Sequence, residues 1–226
     1  AWSIFKLIQF FAPYKDNALG VPLNLDSENV IPGDRRTQTE IYGIIEKELK
    51  DVLEYSTPRE KWNFFYSPDF IKSFLAEMYM FKAGSAAAKD SDWDMAEKYS
   101  GEVIASYTPE NRPELLTDMF SGENVAYTID HPYCALKLAT GRFYDIGNQY
   151  TGIWGANNAQ QVGSELWLMY EPEDIRRKAW FVEKEENGMV KRYISKPVVY
   201  FYGPVCDILV LYRKADLFLI NAEAKC

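Results

Sequence analysis

The chain has 226 residues, 47% of them hydrophobic, enough for one large domain or two small ones with a substantial core. Twenty-five basic against thirty-three acidic residues leave a net charge of −8, which argues against nucleic acid, a partner bound largely by phosphate neutralisation, and against anionic membrane surfaces. No apolar run approaches the roughly 20 residues that cross a bilayer, and the first residues lack the basic, apolar and small-residue order of a signal peptide.

Ala1-Trp2 enters an apolar-periodic segment without a cap, and Ile4, Phe5, Leu7, Ile8 and Phe11 are expected on one side of a helix that Pro13 stops. An extended connector follows at Gly20-Val21-Pro22-Leu23. Thr37-x-x-Glu40 has the form of a capping box, and Ile41, Ile44, Ile45, Leu49, Val52 and Leu53 follow at helical spacing. Ser67-Pro68 reads as an N-cap and first-turn pair, opening a helix with Phe70, Ile71, Phe74, Leu75, Met78 and Tyr79. A third cap, Ser91-x-x-Asp94, is expected to open the helix of Trp93, Ala96, Val103 and Ile104. The linker Gly84 to Asp90 is short, so these last two helices should pack antiparallel. The aromatic-x-x-Ala step at Trp93 and Ala96 resembles the second helix of a tetratricopeptide repeat, although the period of that repeat does not recur cleanly elsewhere.

From Pro109 the pattern changes. A short helix is expected around Leu115 to Phe120, a strand at Val125 to Ile129, and then an irregular stretch from Pro132 to Gly163 rich in Gly, Asn, Gln and Tyr. Loops of that length in compact domains are functional or disordered, and the aromatics of this one argue against disorder. A short helix near Ser164 to Tyr170, a charged turn at Glu171 to Lys178 and extended chain around Tyr193 to Tyr202 come next. A final helix is expected to carry Ile208, Leu211, Tyr212, Ala215, Leu219 and Ala222 on one face. The division is therefore a helical part over 1–108, a loop-rich part over 109–206, and a helix over 207–226 that returns to the scaffold, with both terminal helices read as cut.

Several pieces, in order, resemble the SusD/RagB family of outer-membrane lipoproteins. Phe10-Phe11-Ala12-Pro13-Tyr14 before Gly20-Val21-Pro22-Leu23 is similar to the family's Phe-Gly-x-x-Tyr type turn before a Gly-Val-Pro-Leu segment. Arg35-Arg36-Thr37 with Glu40-Ile41-Tyr42 to Leu49, then Asp92-Trp93 to Ala96 with Val103-Ile104, Asp174-Ile175-Arg176, and Leu211-Tyr212-Arg213 to Ala222-Glu223-Ala224 match in kind and order. Ala12 stands where the family has Gly, and Glu48 where it has Asp. The resemblance spans nearly the whole chain, although family members are much longer and begin with a lipid-bearing cysteine. It implies a mainly α fold, a superhelix of tetratricopeptide-like repeats with an irregular, loop-rich insertion. It further implies a lipid-anchored protein on the outer face of the outer membrane, partnered by a SusC-like TonB-dependent transporter. In the family such a protein captures oligosaccharide or polysaccharide, in some branches peptide, without catalysis.

Aromatic residues make up 15% of the chain, and sugar rings, with an apolar face and a hydroxyl rim, bind to aromatic faces beside amides or carboxylates. Gly141 to Gly163 supplies that mixture, and there Trp154, Tyr150 and Tyr144 are the candidate stacking faces, with Asn148 and Asn157 as hydroxyl readers. The alternative is that these aromatics fold inward and pin the loop to the helices. Trp62 is better explained as a hydrophobic staple ahead of Ser67.

Asp90, Asp92 and Asp94 mimic the start of a calcium loop, but Met95 and Gly101 stand where an EF-hand needs Gly and Glu, so they read as first-turn acids favouring the helix dipole. No cofactor is called for, and because the family includes calcium-binding members a structural calcium ion stays open. His131, the only histidine, has no catalytic motif around it. Glu173, Asp174, Arg176 and Arg177 read as an exposed mixed-charge cluster rather than a site. Cys134, Cys206 and Cys226 are too far apart for a zinc site or redox dithiol, and buried thiols or a disulfide both fit. Two rival functions remain: a glycoside hydrolase on a helical fold, since acidic residues are plentiful, and a repeat scaffold binding peptide or protein.

Overall fold

A computed structural model describes residues 1–13, 19–23, 33–58, 67–105, 107, 134–141, 164–194, 199–201 and 206–226. The chain divides into two compact units, one of Ala1–Arg59, Tyr66–Thr108 and Arg213–Cys226, the other of Glu60–Phe65 and Pro109–Tyr212.

The first unit is helical. Its elements are α1 (Trp2–Phe11), β1 (Leu19–Pro22), β2 (Arg35–Thr37), α2 (Gln38–Tyr55), α3 (Pro68–Ala83) and α4 (Asp92–Ile104), closed by the last helix of the chain over Lys214–Ala224. Two of the caps are as expected: the Thr37 hydroxyl accepts the Glu40 amide while the Glu40 carboxylate takes the Thr37 amide at 2.9 Å, and the Ser67 hydroxyl accepts the Phe70 amide at 3.2 Å. Satisfying those orphan donors fixes where α2 and α3 begin. The third is different. Ser91 makes no side-chain cap bond, and Asp92 turns its carboxylate inward to accept the Lys89 amide at 2.7 Å and the Lys82 ammonium at 2.8 Å. Asp92 is thus a first-turn acid as expected, and in addition a buried ion-pair partner.

α3 and α4 form the expected antiparallel hairpin, because Lys72 reaches Glu102 at one end and Lys82 reaches Asp92 at the other. Between them Tyr79 and Tyr99 stack with ring centroids 6.0 Å apart and planes 10° apart, and Ala96 is fully buried. That small residue lets the helices approach, as in a tetratricopeptide pair. Phe5 of α1 meets Phe74 and Phe81 of α3, and Ile41, Tyr42 and Ile45 of α2 complete a core whose larger members each stabilise by about 1.5–3 kcal/mol. The apolar side of α1 is narrower than its sequence suggests, with Phe5 and Ile8 buried while Leu7 and Phe11 face solvent. Beside α2, Arg35 donates to the Gly20 and Leu19 carbonyls at 2.8 and 2.7 Å and holds β1 to β2. A Cβ at Gly20 would lie 2.6 Å from Ile41 Cδ1, so any side chain there would push the buried end of Ile41 aside.

In the second unit β3 (Cys134–Gly141) lies within the stretch expected to be irregular, and α5 (Ser164–Leu168) precedes α6 (Ile175–Trp180), which takes up the second half of the expected charged turn. β4 (Phe181–Glu186) and β5 (Met189–Ile194) form an antiparallel hairpin, and β6 (Val199–Phe201) pairs with β7 (Cys206–Arg213) in the order β3-β7-β6. The segment expected as one long final helix is therefore strand to Arg213, with α7 (Lys214–Ala224) following. Leu217, Ile220 and Asn221 bury the inner side of α7, where the Asn221 amide donates to the Glu97 carbonyl and the Ser100 hydroxyl of α4, both at 3.0 Å. No described helix is long and apolar enough to cross a membrane.

Two predictions follow from the packing around Lys82. Removing one partner of a buried ion pair strands the other, so Asp92→Ala should cost about 3–5 kcal/mol in urea unfolding, and Lys82→Met combined with Asp92→Leu should recover at least half of that loss. The second concerns Glu46, on the α2 face toward Lys82. Partial burial pushes its carboxyl up, but hydrogen bonds from Lys50 and Tyr79 and the charges of Lys50 and Lys82 outweigh this and hold it below the ordinary 4.5. A depressed carboxyl stabilises the fold above its unfolded value, and that contribution fades as pH falls through the folded one. The melting temperature should therefore decline below about pH 4.5, and less so in Glu46→Gln.

Candidate functional site

The five candidate stacking and hydroxyl-reading residues, Trp154, Tyr150, Tyr144, Asn148 and Asn157, lie outside the described residues, as do Trp62 and His131. Cys134 and Cys206 fall in β3 and β7, and Cys226 is an exposed free thiol.

What the structure does describe is the ground immediately after the aromatic, amide-rich segment. α5 is short and carries Trp167, with Tyr170 just beyond its end; the ring of Phe181, the first residue of β4, meets Trp167 edge-on at 5.4 Å and Tyr170 at 5.6 Å. Three guanidinium groups surround these rings. Those of Arg177 and Arg192 lie 4.7 and 4.6 Å from the Trp167 centroid, and that of Arg176 lies 4.8 Å from Tyr170. Each cation is held in place by a second contact. Asp174 caps α6 by accepting the Arg176 amide, takes the Arg176 side chain through Nε at 2.9 and 3.0 Å, and has its carboxyl lowered to about 2 by those bonds. Arg192 donates to Glu183 across the hairpin at 2.8 Å. Arg177 turns back to donate to the Tyr170 carbonyl and, at 3.1 Å, to the Trp167 carbonyl, satisfying acceptors at the end of α5.

Arg177 is thus half-buried and structural, more than a member of an exposed charge cluster. Asp174-Ile175-Arg176-Arg177 serves to fix two aromatic rings that follow the candidate segment. The hairpin that completes the group turns at Asn187-Gly188, both with positive φ (54° and 74°), which is the type I′ signature. That dipeptide is the available sequence signal for β4 and β5, whose own residues do not alternate apolar with polar and so give periodicity nothing to register. Stacking on guanidinium groups leaves Trp167 and Tyr170 as packed rings, not open platforms, so these two aromatics are structural.

No protein-family model matches the sequence, and no curated protein matches it. Solved structures do. A SusD superfamily protein from Bacteroides vulgatus superposes with a TM-score of 0.69 at 19% identity, over 93% of this chain and 47% of its own. SusD superfamily proteins from Bacteroides fragilis and Parabacteroides distasonis give 0.64 at 15% and 0.64 at 20% identity, each over 91% of this chain and 50% of theirs. The chain has the SusD-superfamily fold. It is mainly helical in the tetratricopeptide-like manner expected, and it spans about half the length of the SusD superfamily structures it matches.

Arg177 generates a prediction. Arg177→Ala removes the ring contact on Trp167 and both carbonyl bonds, so it should destabilise the second unit by about 2 kcal/mol and alter near-ultraviolet circular dichroism. Arg177→Lys, lacking the planar fork, should recover less than half.

Proposed function

We propose that the chain belongs to a SusD/RagB-type lipoprotein that captures glycan at the cell surface and hands it to a TonB-dependent outer-membrane transporter, with no catalysis of its own. The observation that carries this reading is the SusD-superfamily fold, extending over more than nine-tenths of a chain that also has the ordered motifs from Phe10-Phe11-Ala12-Pro13-Tyr14 to Leu211-Tyr212-Arg213. The net charge of −8 and the absence of an apolar helix long enough to span a bilayer among the described residues suit a protein held at the membrane by a lipid on another part of the chain.

The ligand reading comes from Gly141 to Gly163, where Trp154, Tyr150 and Tyr144 supply stacking faces and Asn148 and Asn157 supply donors and acceptors for hydroxyls. Only Arg142 and Asp145 in that segment are charged, so recognition there would rest on rings and amides, the chemistry that suits a polyhydroxylated ligand.

Trp154→Ala should abolish retention in affinity electrophoresis through immobilised oligosaccharide while changing the melting temperature by less than about 2 °C. A collapse of folding would make Trp154 a core residue. New reducing ends on incubation with glycan would overturn the non-catalytic reading in favour of a hydrolase, and retention of peptide alone would move the ligand class to peptide.

A further inference from the structure

Helix α1 is apolar on two sides. Phe5 and Ile8 are buried, whereas Leu7, Phe10 and Phe11, spaced i, i+3 and i+4 and so sharing a different face, are 43%, 78% and 70% exposed. Its two long polar side chains are taken up on the α3 side, where Lys6 and Gln9 both donate to the Glu77 carboxylate, at 2.9 and 3.2 Å, so neither covers Leu7, Phe10 and Phe11. A helix that still shows three large apolar side chains after its core side is filled belongs against a further element on that face. Leu219 on α7, also exposed, stands singly and asks for no partner.

What covers the outer face can be argued from size and charge. Three side chains are far fewer than the roughly 20 residues a side of a stable protein–protein interface, and a second copy would bring its own net charge of −8 to the contact. A helix tethered in the same chain needs much less, because its docking is intramolecular. The matched SusD superfamily structures have room for such an element: they cover this chain almost completely, yet it fills only 47–50% of them. We propose that in the complete protein a further helix, from the portion of the chain outside these 226 residues, packs on Leu7, Phe10 and Phe11, making α1 an interior helix. This rests on the fold and not on the glycan reading.

The test uses the complete protein. Phe10→Lys preserves helix propensity and places a cation near the helix C-terminus, where it suits the dipole, so it is harmless on an open face and damaging on a covered one. It should lower the melting temperature by about 5 °C or more, while Tyr55→Lys, at an 82% exposed position of α2, should change it by less than about 1 °C. Should Phe10→Lys not fold, Phe10→Ala is read instead and should still lower the value by about 3 °C. An unchanged melting temperature overturns the proposal. So does a light-scattering mass that doubles with concentration and returns to monomer in Phe10→Lys, which would put a second copy on the face. Glycan retention by Trp154→Ala is scored separately, so failure of the ligand reading leaves this result untouched.

Discussion

The helical unit is organised around one buried charge. Lys82 and Asp92 sit at the two ends of the short linker between α3 and α4, 3% and 2% exposed as side chains, with Nζ and Oδ1 2.8 Å apart. Removing two ions from water costs several kcal/mol each, so such a pair is weak support for stability by itself, and what it offers in return is geometry. The second Asp92 oxygen takes the Lys89 amide, which ties the linker to the pair, and Glu46 of α2 lies 3.9 Å from the same ammonium. One residue therefore sets the hairpin register and draws in a third helix. Tyr79 continues the network: burial first, then its hydrogen bond to Glu46, push its phenol up, so at neutral pH it stays a neutral hydroxyl able to donate to that carboxylate while its ring stacks on Tyr99. With the α3–α4 pair fixed, α7 can return and lock onto α4 through Asn221.

The parts of this unit that were legible in the sequence are those decided locally. The caps at Thr37-Glu40 and Ser67-Phe70 each join residues three apart in sequence. Ser91 does not cap because its backbone is already helical, with φ −82° and ψ −4° where Thr37 and Ser67 are extended, and a cap rule reads residue type without that conformation. The run from Cys206 to Arg213 failed for a related reason. Its Ile208, Leu209, Val210 and Leu211 satisfy a helical face as readily as a buried strand, and β6, opposite it in the antiparallel register Val199↔Ile208 to Phe201↔Cys206, settles the choice. Asn187-Gly188 was a different kind of miss, since the signal was local and strong and periodicity alone did not register it.

The candidate ligand segment was legible only as composition. Rings, amides and glycines between Gly141 and Gly163 state what a surface can be made of, not how it is arranged, and aromatic residues serve two purposes that composition cannot separate. The second unit shows the structural purpose at Trp167 and Tyr170, whose rings are packed against arginines. What distinguishes them in sequence is the charged run that follows, Asp174-Ile175-Arg176-Arg177, which supplies the cations and their counterion within ten residues. Trp154 has no such run beside it.

That contrast has a consequence for how an acidic protein uses its cations. Arg176 is engaged by Asp174, Arg192 by Glu183, Lys191 by Glu186 and Arg177 by two carbonyls and a ring, so these four cations of the second unit are directed at their own fold. A cation spent in this way is poorly placed to neutralise an anionic ligand as well, because the same donors and the same field already satisfy a neighbouring acceptor. On the glycan reading proposed above, recognition would fall to groups that need no counterion, namely ring faces, amides and backbone dipoles. Such groups bind a neutral, polyhydroxylated surface without the desolvation cost of burying charge.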